Sequence, residues 1–375
     1  MAISDQATQQ LRAIGLMSGS SLDGLDVAAC EFTIATDSGS PRILSWEMGA
    51  SATLPYSESW AQRLREATQL NGLELTALHA DYGKLVGELV RDFLQEHHFQ
   101  PDLIASHGHT VFHYPERGFT LQIGDGAAIA AQSGITTICD FRSLDIANGG
   151  QGAPLAPLAD ALLLPPHDFY LNLGGIANIT ARTHNGHVAF DICGANQILN
   201  ALVAPLQLPY DDKGHLARGG QFIPELARQQ NQLKYFKLPY PKSLDNNWVR
   251  ENQTQVFEAH PESTANRLHT ACLLIAGQIA QQVQQIRKRE TMDEGPYSLL
   301  VSGGGAYNDF LIECIQTALP DVKIELPDDR LIAFKEAALI ALMGSLRLLG
   351  RPNCLSSVTG ATYDVCGGAI HSGRS

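Results

Sequence analysis

Leu11-Arg-Ala-Ile-Gly-Leu-Met-Ser-Gly-Ser-Ser-Leu-Asp-Gly-Leu-Asp-Val-Ala-Ala-Cys-Glu-Phe32 reads as two strands around a turn. Leu11–Met17 and Leu25–Phe32 are apolar runs, and Ser18-Gly-Ser-Ser21 between them is small and hydroxyl-rich, which marks a hairpin-like unit. The same theme returns in the second half. There Phe169–Leu173 is a strand, Gly174-Gly175 a turn, Ile176–Thr180 a second strand and His187–Ile192 a third. Between these units, residues 73–95 carry Leu78, Tyr82, Leu85, Leu89 and Phe93 at helical steps. Strands are expected at Asp102–Ser106 and Ile135–Asp140, with a small-residue helix, Ala127–Gln132, between them. A second long helix runs from Thr264 to about Arg287, with Leu268, Cys272, Ile275, Ile279, Val283 and Ile286 on one stripe. Strand Tyr297–Ser302 enters Gly303-Gly-Gly305, and a last helix covers Phe334–Leu349. Alternating strands and helices make this an α/β protein built as two copies of one plan. Asn148–Pro154 has turn composition and reads as the connection. The expected lobes are therefore 12–150 and 151–365, with the last helix packing back across them.

Composition narrows the function classes. Of 375 residues, 26 are Lys or Arg and 39 are Asp or Glu, a net charge of −13. Such a chain has no basic surface with which to displace counterions from a nucleic acid. No run reaches the ~20 apolar residues of a membrane span, and the opening MAISDQATQQ lacks the basic and apolar regions of a secretory signal. Seven cysteines, at positions 30, 139, 193, 272, 314, 354 and 366, are scattered without a CxxC pair. That pattern suits reduced thiols in the cytoplasm. The 34 glycines are the unusual feature, at about a ninth of the chain against ~7% on average.

Glycine-rich turns at strand ends are where the chemistry is expected: Ser18–Gly24, Asn172–Asn178 and Ser302–Asn308. Without a Cβ, backbone N–H groups approach phosphate oxygens closely. A single such turn is ordinary loop chemistry; one at each equivalent place in a duplicated fold is more specific. None has the GxxxxGK[ST] pattern, and Ser302–Ala306 lacks GxGxxG spacing. Carboxylates flank the turns: Asp23 and Asp26 after the first, and Asp191 at the end of the third strand of the second half. Asp191 reads equally as a general base and as a helix cap. Ser106-His-Gly-His-Thr110 holds an HxH pair, a weak zinc signal better read as polar pocket residues. Arg142, in Asp140-Phe-Arg142, reads equally as an anion contact and as part of a structural ion pair with Asp145.

These segments, in order, resemble the anhydro-N-acetylmuramic acid kinase family. The resemblance rests on Ile14–Asp26, Ser106–Thr110, Leu121-Gln-Ile-Gly124, Asp140–Arg142, Gly149-Gly-Gln-Gly-Ala-Pro154, Asn172–Asn178, Val301-Ser-Gly-Gly-Gly-Ala-Tyr-Asn308 and Val358-Thr-Gly-Ala361, spanning about 13–362. It implies two ribonuclease-H-like lobes of the actin, sugar-kinase and heat-shock-ATPase fold, with ligands in an inter-lobe cleft. The implied reaction is ATP-dependent phosphorylation of 1,6-anhydro-N-acetylmuramic acid with hydrolysis of its anhydro ring, giving N-acetylmuramic acid 6-phosphate in cell-wall recycling. Asp191 then matches the catalytic aspartate, and Glu336 a glutamate facing the sugar. Gly19, Ser20, Ser21, Leu22, Asp23, Gly24, Leu25 and Asp26 match the ATP-phosphate loop. Gly174, Gly175 and Asn178 are further nucleotide candidates, and Gly303, Gly304 and Gly305 match the adenosine-side glycines. Ser106, His107, Arg142 and Asn196 are candidate sugar contacts, with the lactyl carboxylate as the partner of Arg142. Mg²⁺ would come with ATP, with Asp23 or Asp26 as candidate ligands, and a homodimer is compatible with the resemblance.

Three departures mark a divergent branch. The family's Asp-x-Gly-Pro-Gly-Asn is Asp191-Ile-Cys-Gly-Ala-Asn196 here, its Pro-Lys-Ser-x-Gly-Arg-Glu is Pro241-Lys-Ser-Leu-Asp-Asn-Asn247, and the Gln of Ser-His-Gly-Gln-Thr is His109. The alternatives are a kinase of the same fold for another amino sugar and a weakly active nucleotide- or sugar-binding regulator.

Overall fold

The computed structural model describes residues 8–19, 22–36, 42–184, 186–293 and 295–374. Strands β1 (Thr8–Ser18), β2 (Gly24–Ala35), β3 (Arg42–Pro55), β4 (Leu103–Ser106), β5 (His109–Tyr114), β6 (Phe119–Ile123) and β7 (Thr137–Cys139) come first. They are followed by β8 (Phe169–Leu173), β9 (Ile176–Thr183), β10 (Gly186–Gly194), β11 (Tyr297–Ser302), β12 (Val322–Glu325) and β13 (Ala369–His371). The helices that matter most are α1 (Gly72–His97), α2 (Gly126–Ser133), α3 (Asn196–Val203), α4 (Thr264–Arg289), α5 (Asp309–Ala318) and α6 (Asp329–Leu348). The chain forms two compact units, 1–164 with 334–375, and 165–333.

In the first unit the sheet order is β13-β7-β4-β1-β2-β3. β1, β2 and β3 form an antiparallel meander, with Leu11 opposite Phe32 and Ser18 opposite Leu25, and β4 and β7 continue parallel to β1. β1 is buried on both faces, so its alternation sorts side chains between two cores. Ile14 and Leu16 pack with Leu78, Tyr82, Val86, Val90 and Phe93 of α1. Leu11 and Ala13 pack with Ala337–Met343 of α6. Gly15 shares the α6 face, and a Cβ there would lie 1.8 Å from the Ala337 carbonyl oxygen. The strand and helix backbones therefore touch, which no other residue permits.

The second unit repeats the connectivity: its order is β10-β9-β8-β11-β12, with an antiparallel β8–β9–β10 meander and β11 and β12 parallel to β8. The duplicated α/β plan read from the sequence is thus present in both sheets. All six residues of the expected α4 stripe, Leu268 to Ile286, are buried. Ser263 caps α4 by accepting from Asn266 N–H. Among the described residues no helix is long and apolar enough to cross a membrane.

Some details differ from the sequence reading. In α1 the buried stripe passes through Val86 and Val90, with Leu85 and Leu89 at its edge. Gly83 and Gly87 rotate the buried face towards α2: Cβ atoms there would collide with Asp125 and Gln132. α6 starts five residues earlier than expected, where Asp328 Oδ1 accepts from Leu331 N–H at 2.8 Å and caps it. β3 has no clear signal in the sequence, because its charged, Ser- and Gly-containing residues form a half-exposed edge strand. Asn148–Pro154, expected to connect the lobes, lies inside the first unit: Gln151 N–H donates to Thr359 O at 2.8 Å. The chain passes between units at Leu164/Pro165 and again within α6, at Ala333/Phe334.

Candidate active site

In the second unit, Asp191 sits on β10 opposite Asn178 of β9, immediately before a register shift between Asp191 and Cys193. A bulge re-aims the side chains that flank it. The segment 235–244 clasps this point. Tyr235 OH donates to Asp191 O at 2.7 Å, Asp191 N–H donates to Lys242 O at 3.3 Å, and Leu244 N–H donates to Asp191 Oδ2 at 2.9 Å. Burial pushes the Asp191 carboxyl up to about 6, and the Leu244 N–H opposes the rise. A carboxylate held by one oxygen, with a pKa near neutrality, has the properties of a general base. Beside it the Lys242 ammonium lies 4.8 Å from the Tyr235 ring centroid and 5.5 Å from that of Phe190. Burial lowers Lys242 to about 8.

Two of the divergent segments therefore lie at Asp191. In Pro241–Asn247, Lys242 and Leu244 bond Asp191 directly, and Asp245 caps the short helix Asn246–Val249 by accepting from Trp248 N–H at 2.8 Å. In Asp191–Asn196, Gly194 N–H donates to Gln253 Oε1 at 2.8 Å. The Cys193 thiol is buried and raised to about 12 by that burial, which makes it a packing group.

The glycine turns of the same unit converge at the carboxyl ends of parallel strands β8 and β11, where open α/β sheets bind ligands. Ala195 N–H and Gln197 N–H donate to Gly175 O, and Asn196 N–H donates to Gly174 O, so the start of α3 is fastened to the β8–β9 turn. Asn196 Nδ2 donates to Leu173 O at 3.0 Å. Gly303 has φ +83°, and a Cβ there would lie 2.6 Å from Asn172 Oδ1. A Cβ on Gly305 would be 2.7 Å from Leu173 Cβ, whereas one on Gly304 would meet nothing nearer than Asn196 Nδ2 at 3.6 Å. Gly174, Gly175, Asn196 and Gly303–Gly305 thus form one backbone-lined surface, with Asn178 on the adjoining strand.

In the first unit, Gly19, Leu22 and Asp23 lie between β1 and β2, and Gly24–Asp26 open β2; Ser20 and Ser21 lie outside the described residues. Beneath this turn Tyr56 OH donates to Ser18 Oγ at 2.9 Å and lies 2.6 Å from Tyr82 OH, while Ser18 Oγ is 3.3 Å from His109 Nδ1. Leu25 is 2% exposed and belongs to the core, and Gly24 is pressed against Leu54 O. Asp23 is exposed and Asp26 half-buried. Burial raises the Asp26 carboxyl, the Thr53 hydroxyl at 2.6 Å lowers it, and the charges of Asp23 and Glu336 raise it further. Glu336, exposed on α6 beside the Gly15 contact, therefore shares a negative field with the turn. One or two carboxylates with phosphate oxygens are the usual Mg²⁺ environment, and Asp23 and Asp26 fit it.

The first unit also joins Ser106, His107 and Arg142. Ser106 ends β4 and is 2% exposed. Arg142 Nε donates to His107 Nε2 at 2.9 Å, and the other ring nitrogen of His107, Nδ1, donates to Gly108 O at 2.9 Å. Burial and the Arg142 charge hold His107 down at about 3, so it is a neutral acceptor. Both its nitrogens are used within the protein, which removes it from metal ligation, the weaker reading of the HxH pair. Arg142 Nη1 donates to Gly152 O at 2.6 Å. Arg142 is thus oriented by two neutral acceptors; burial lowers its pKa, and the nearby Cys354, Glu336 and Asp145 oppose that fall.

The family model described as Anhydro-N-acetylmuramic acid kinase matches residues 11–373. The chain belongs to the anhydro-N-acetylmuramic acid kinase family. A family member from Synechococcus elongatus is 36% identical over 94% of this chain and 97% of its own length. One from Pasteurella multocida is 34% identical over 96% of both, and one from Bacillus cereus 31% identical over 95% and 97%. Among solved structures, xylulose kinase from Rhodospirillum rubrum is similar over 90% of each chain, at 13% identity and a TM-score of 0.39. Within this kinase family chain, sequence reasoning did not single out Tyr235, Lys242 or Leu244 as partners of Asp191. The only local signal was that Pro241-Lys-Ser243 keeps the family pattern while the residues after it change.

Proposed function

We propose that this kinase transfers the γ-phosphate of ATP to 1,6-anhydro-N-acetylmuramic acid as water opens the anhydro bridge, releasing ADP and N-acetylmuramic acid 6-phosphate. The observation that carries the reading is the Asp191 carboxyl, raised to about 6 and tethered to Leu244 N–H through one oxygen. Asp191 takes a proton from the water that attacks the anomeric carbon. The bond from that carbon to the 6-oxygen breaks, and the 6-oxygen attacks the γ-phosphorus in line, displacing ADP. MgATP is a substrate. Gly19 and Asp23, together with Gly174, Gly175 and Gly303–Gly305, hold its phosphates and nucleoside. Asp23 and Asp26 meet the metal, and Leu25, buried in the core, supports the turn without touching the ligand. Arg142, oriented by His107, pairs with the lactyl carboxylate beside Ser106, and Glu336 orients the water. Asn196, whose side chain lies against Gly304 and Gly305, belongs with the nucleotide turns rather than with the sugar.

ADP release with the anhydro sugar, compared with N-acetylglucosamine and N-acetylmuramic acid, tests this reading. Turnover of the anhydro sugar alone supports it; phosphorylation of a non-anhydro sugar only would sink it, and nucleotide binding without turnover would identify a regulator. The pH dependence follows from the raised carboxyl. Because the base must be ionised, kcat/KM is expected to rise about tenfold per pH unit below about 6 and to level off above it. A rate independent of pH between 4.5 and 7 would remove Asp191 from that role. His107, held at about 3, contributes no inflection in that range. Arg142→Met is expected to raise the KM for the sugar by about 10²-fold, the loss of a charge-assisted pair, with little change in the KM for ATP.

A further inference from the structure

The guanidinium of Arg142 is held by a loop whose own anchor lies far away in the sequence. Nη1 donates to Gly152 O at 2.6 Å. Gly152 has φ +64° and donates its N–H to Asp145 Oδ2 at 2.7 Å. Asp145 is fully buried, and its other oxygen accepts from Thr359 Oγ1 at 2.7 Å. Gly150 presses on the same carboxylate: a Cβ there would lie 2.2 Å from Oδ2. The segment containing Thr359 closes the loop from the other side. Gln151 N–H donates to Thr359 O at 2.8 Å, and Thr362 N–H donates to Asn148 O at 3.1 Å. Every group in this chain belongs to the first unit.

We infer that Asp145 and Thr359 are positioning residues for the sugar: they lock the Gly149–Gly152 loop so that Gly152 O fixes the Arg142 guanidinium for the substrate carboxylate. The inference rests on the reading of Arg142 as a carboxylate contact. The Asp145 carboxylate is a buried acceptor with two neutral donors aimed at it, so losing either one lets the loop relax. A guanidinium displaced by about 1 Å is enough to weaken a directional two-point contact by an order of magnitude or more. The nucleotide turns do not enter this network, so ATP should not sense it.

The test is steady-state kinetics on the full chain carrying Thr359→Val, Thr359→Ser or Asp145→Asn, each with a thermal melt. Thr359→Val keeps the shape and removes the donor. It is expected to raise the KM for the anhydro sugar about tenfold while the KM for ATP stays within about twofold, and Thr359→Ser is expected to restore the wild-type value. Asp145→Asn should show the same split, which covers the case of a Thr359→Val chain that does not fold. In an Arg142→Met background the Thr359→Val effect should vanish, because the two residues act on one contact. An unchanged sugar KM in Thr359→Val, a parallel rise for sugar and ATP, or additive effects with Arg142→Met overturns the inference. If Arg142→Met raises the sugar KM and Thr359→Val does not, positioning alone fails. If Arg142→Met has no effect, the parent reading fails with it.

Discussion

Replacing Asp191 by asparagine is expected to lower kcat by about 10²–10⁴-fold, the usual contribution of a positioned general base, while ATP still binds. Asparagine keeps an oxygen to accept from Leu244 N–H, so the geometry at β10 survives and only the base is lost. The same substitution is expected not to lower stability. The folded-state carboxyl is raised from 3.8 to about 6, so the folded state holds this proton more tightly than the unfolded chain. Its contribution to stability is present at low pH and is lost as the pH rises through about 6. At pH 7.5 the ligand-free Asp191→Asn chain should therefore melt at or above the wild-type temperature, with the advantage shrinking towards pH 4. ADP release and a melt at the two pH values check both halves. A near-wild-type rate, or a sharply lower melting temperature at pH 7.5, would contradict the assignment. A catalytic group that costs stability in its working state is common at active sites.

Gly15→Ala carries the largest expected structural effect. The added Cβ would stand 1.8 Å from Ala337 O and 2.7 Å from Ala341 N, both backbone atoms. No rotamer change relieves such a clash, so β1 and α6 must separate and open the core that holds Leu11, Ala13 and Ala337–Met343. Overpacking against backbone is expected to cost at least about 3 kcal/mol, and to lower the melting midpoint by roughly 6–12 °C for a unit of this size. Gly277→Ala on α4 is the control. Nothing lies within 4 Å of its Cβ position, so the helix should gain up to about 1 kcal/mol. Thermal melts of the two variants side by side, with a larger loss from Gly277 than from Gly15, would refute the packing argument. Because Glu336 neighbours Ala337 on α6, the same contact sets how near that carboxylate comes to Asp26. Gly15 thus joins fold to site.

Much of this architecture was legible from local pattern. The β1–β2 hairpin and its return at β8–β9, the α4 stripe, and the glycine turns at strand ends all write themselves as short-range periodicity or composition. Backbone geometry dictates that side chains repeat every two or about 3.6 residues, and that turns and close approaches favour glycine. Asp191 was a candidate for the same reason: a carboxylate at a strand end before a small-residue turn. The boundary between units was not legible, because Asn148–Pro154 looks like a linker yet is bonded to Thr359.

What turns those candidates into chemistry is non-local. Leu244 grips Asp191 across 53 residues, Arg142 leans on His107 across 35, and Thr359 reaches Asp145 across 214. No spacing rule records such contacts, since they arise when separate elements pack. Whether a carboxyl titrates near 4 or near 6 is decided by how much water packing leaves around it and by which donors reach it. The residue types and the two-fold plan belong to the chain order; the working state of Asp191, Arg142 and His107 belongs to the packed fold.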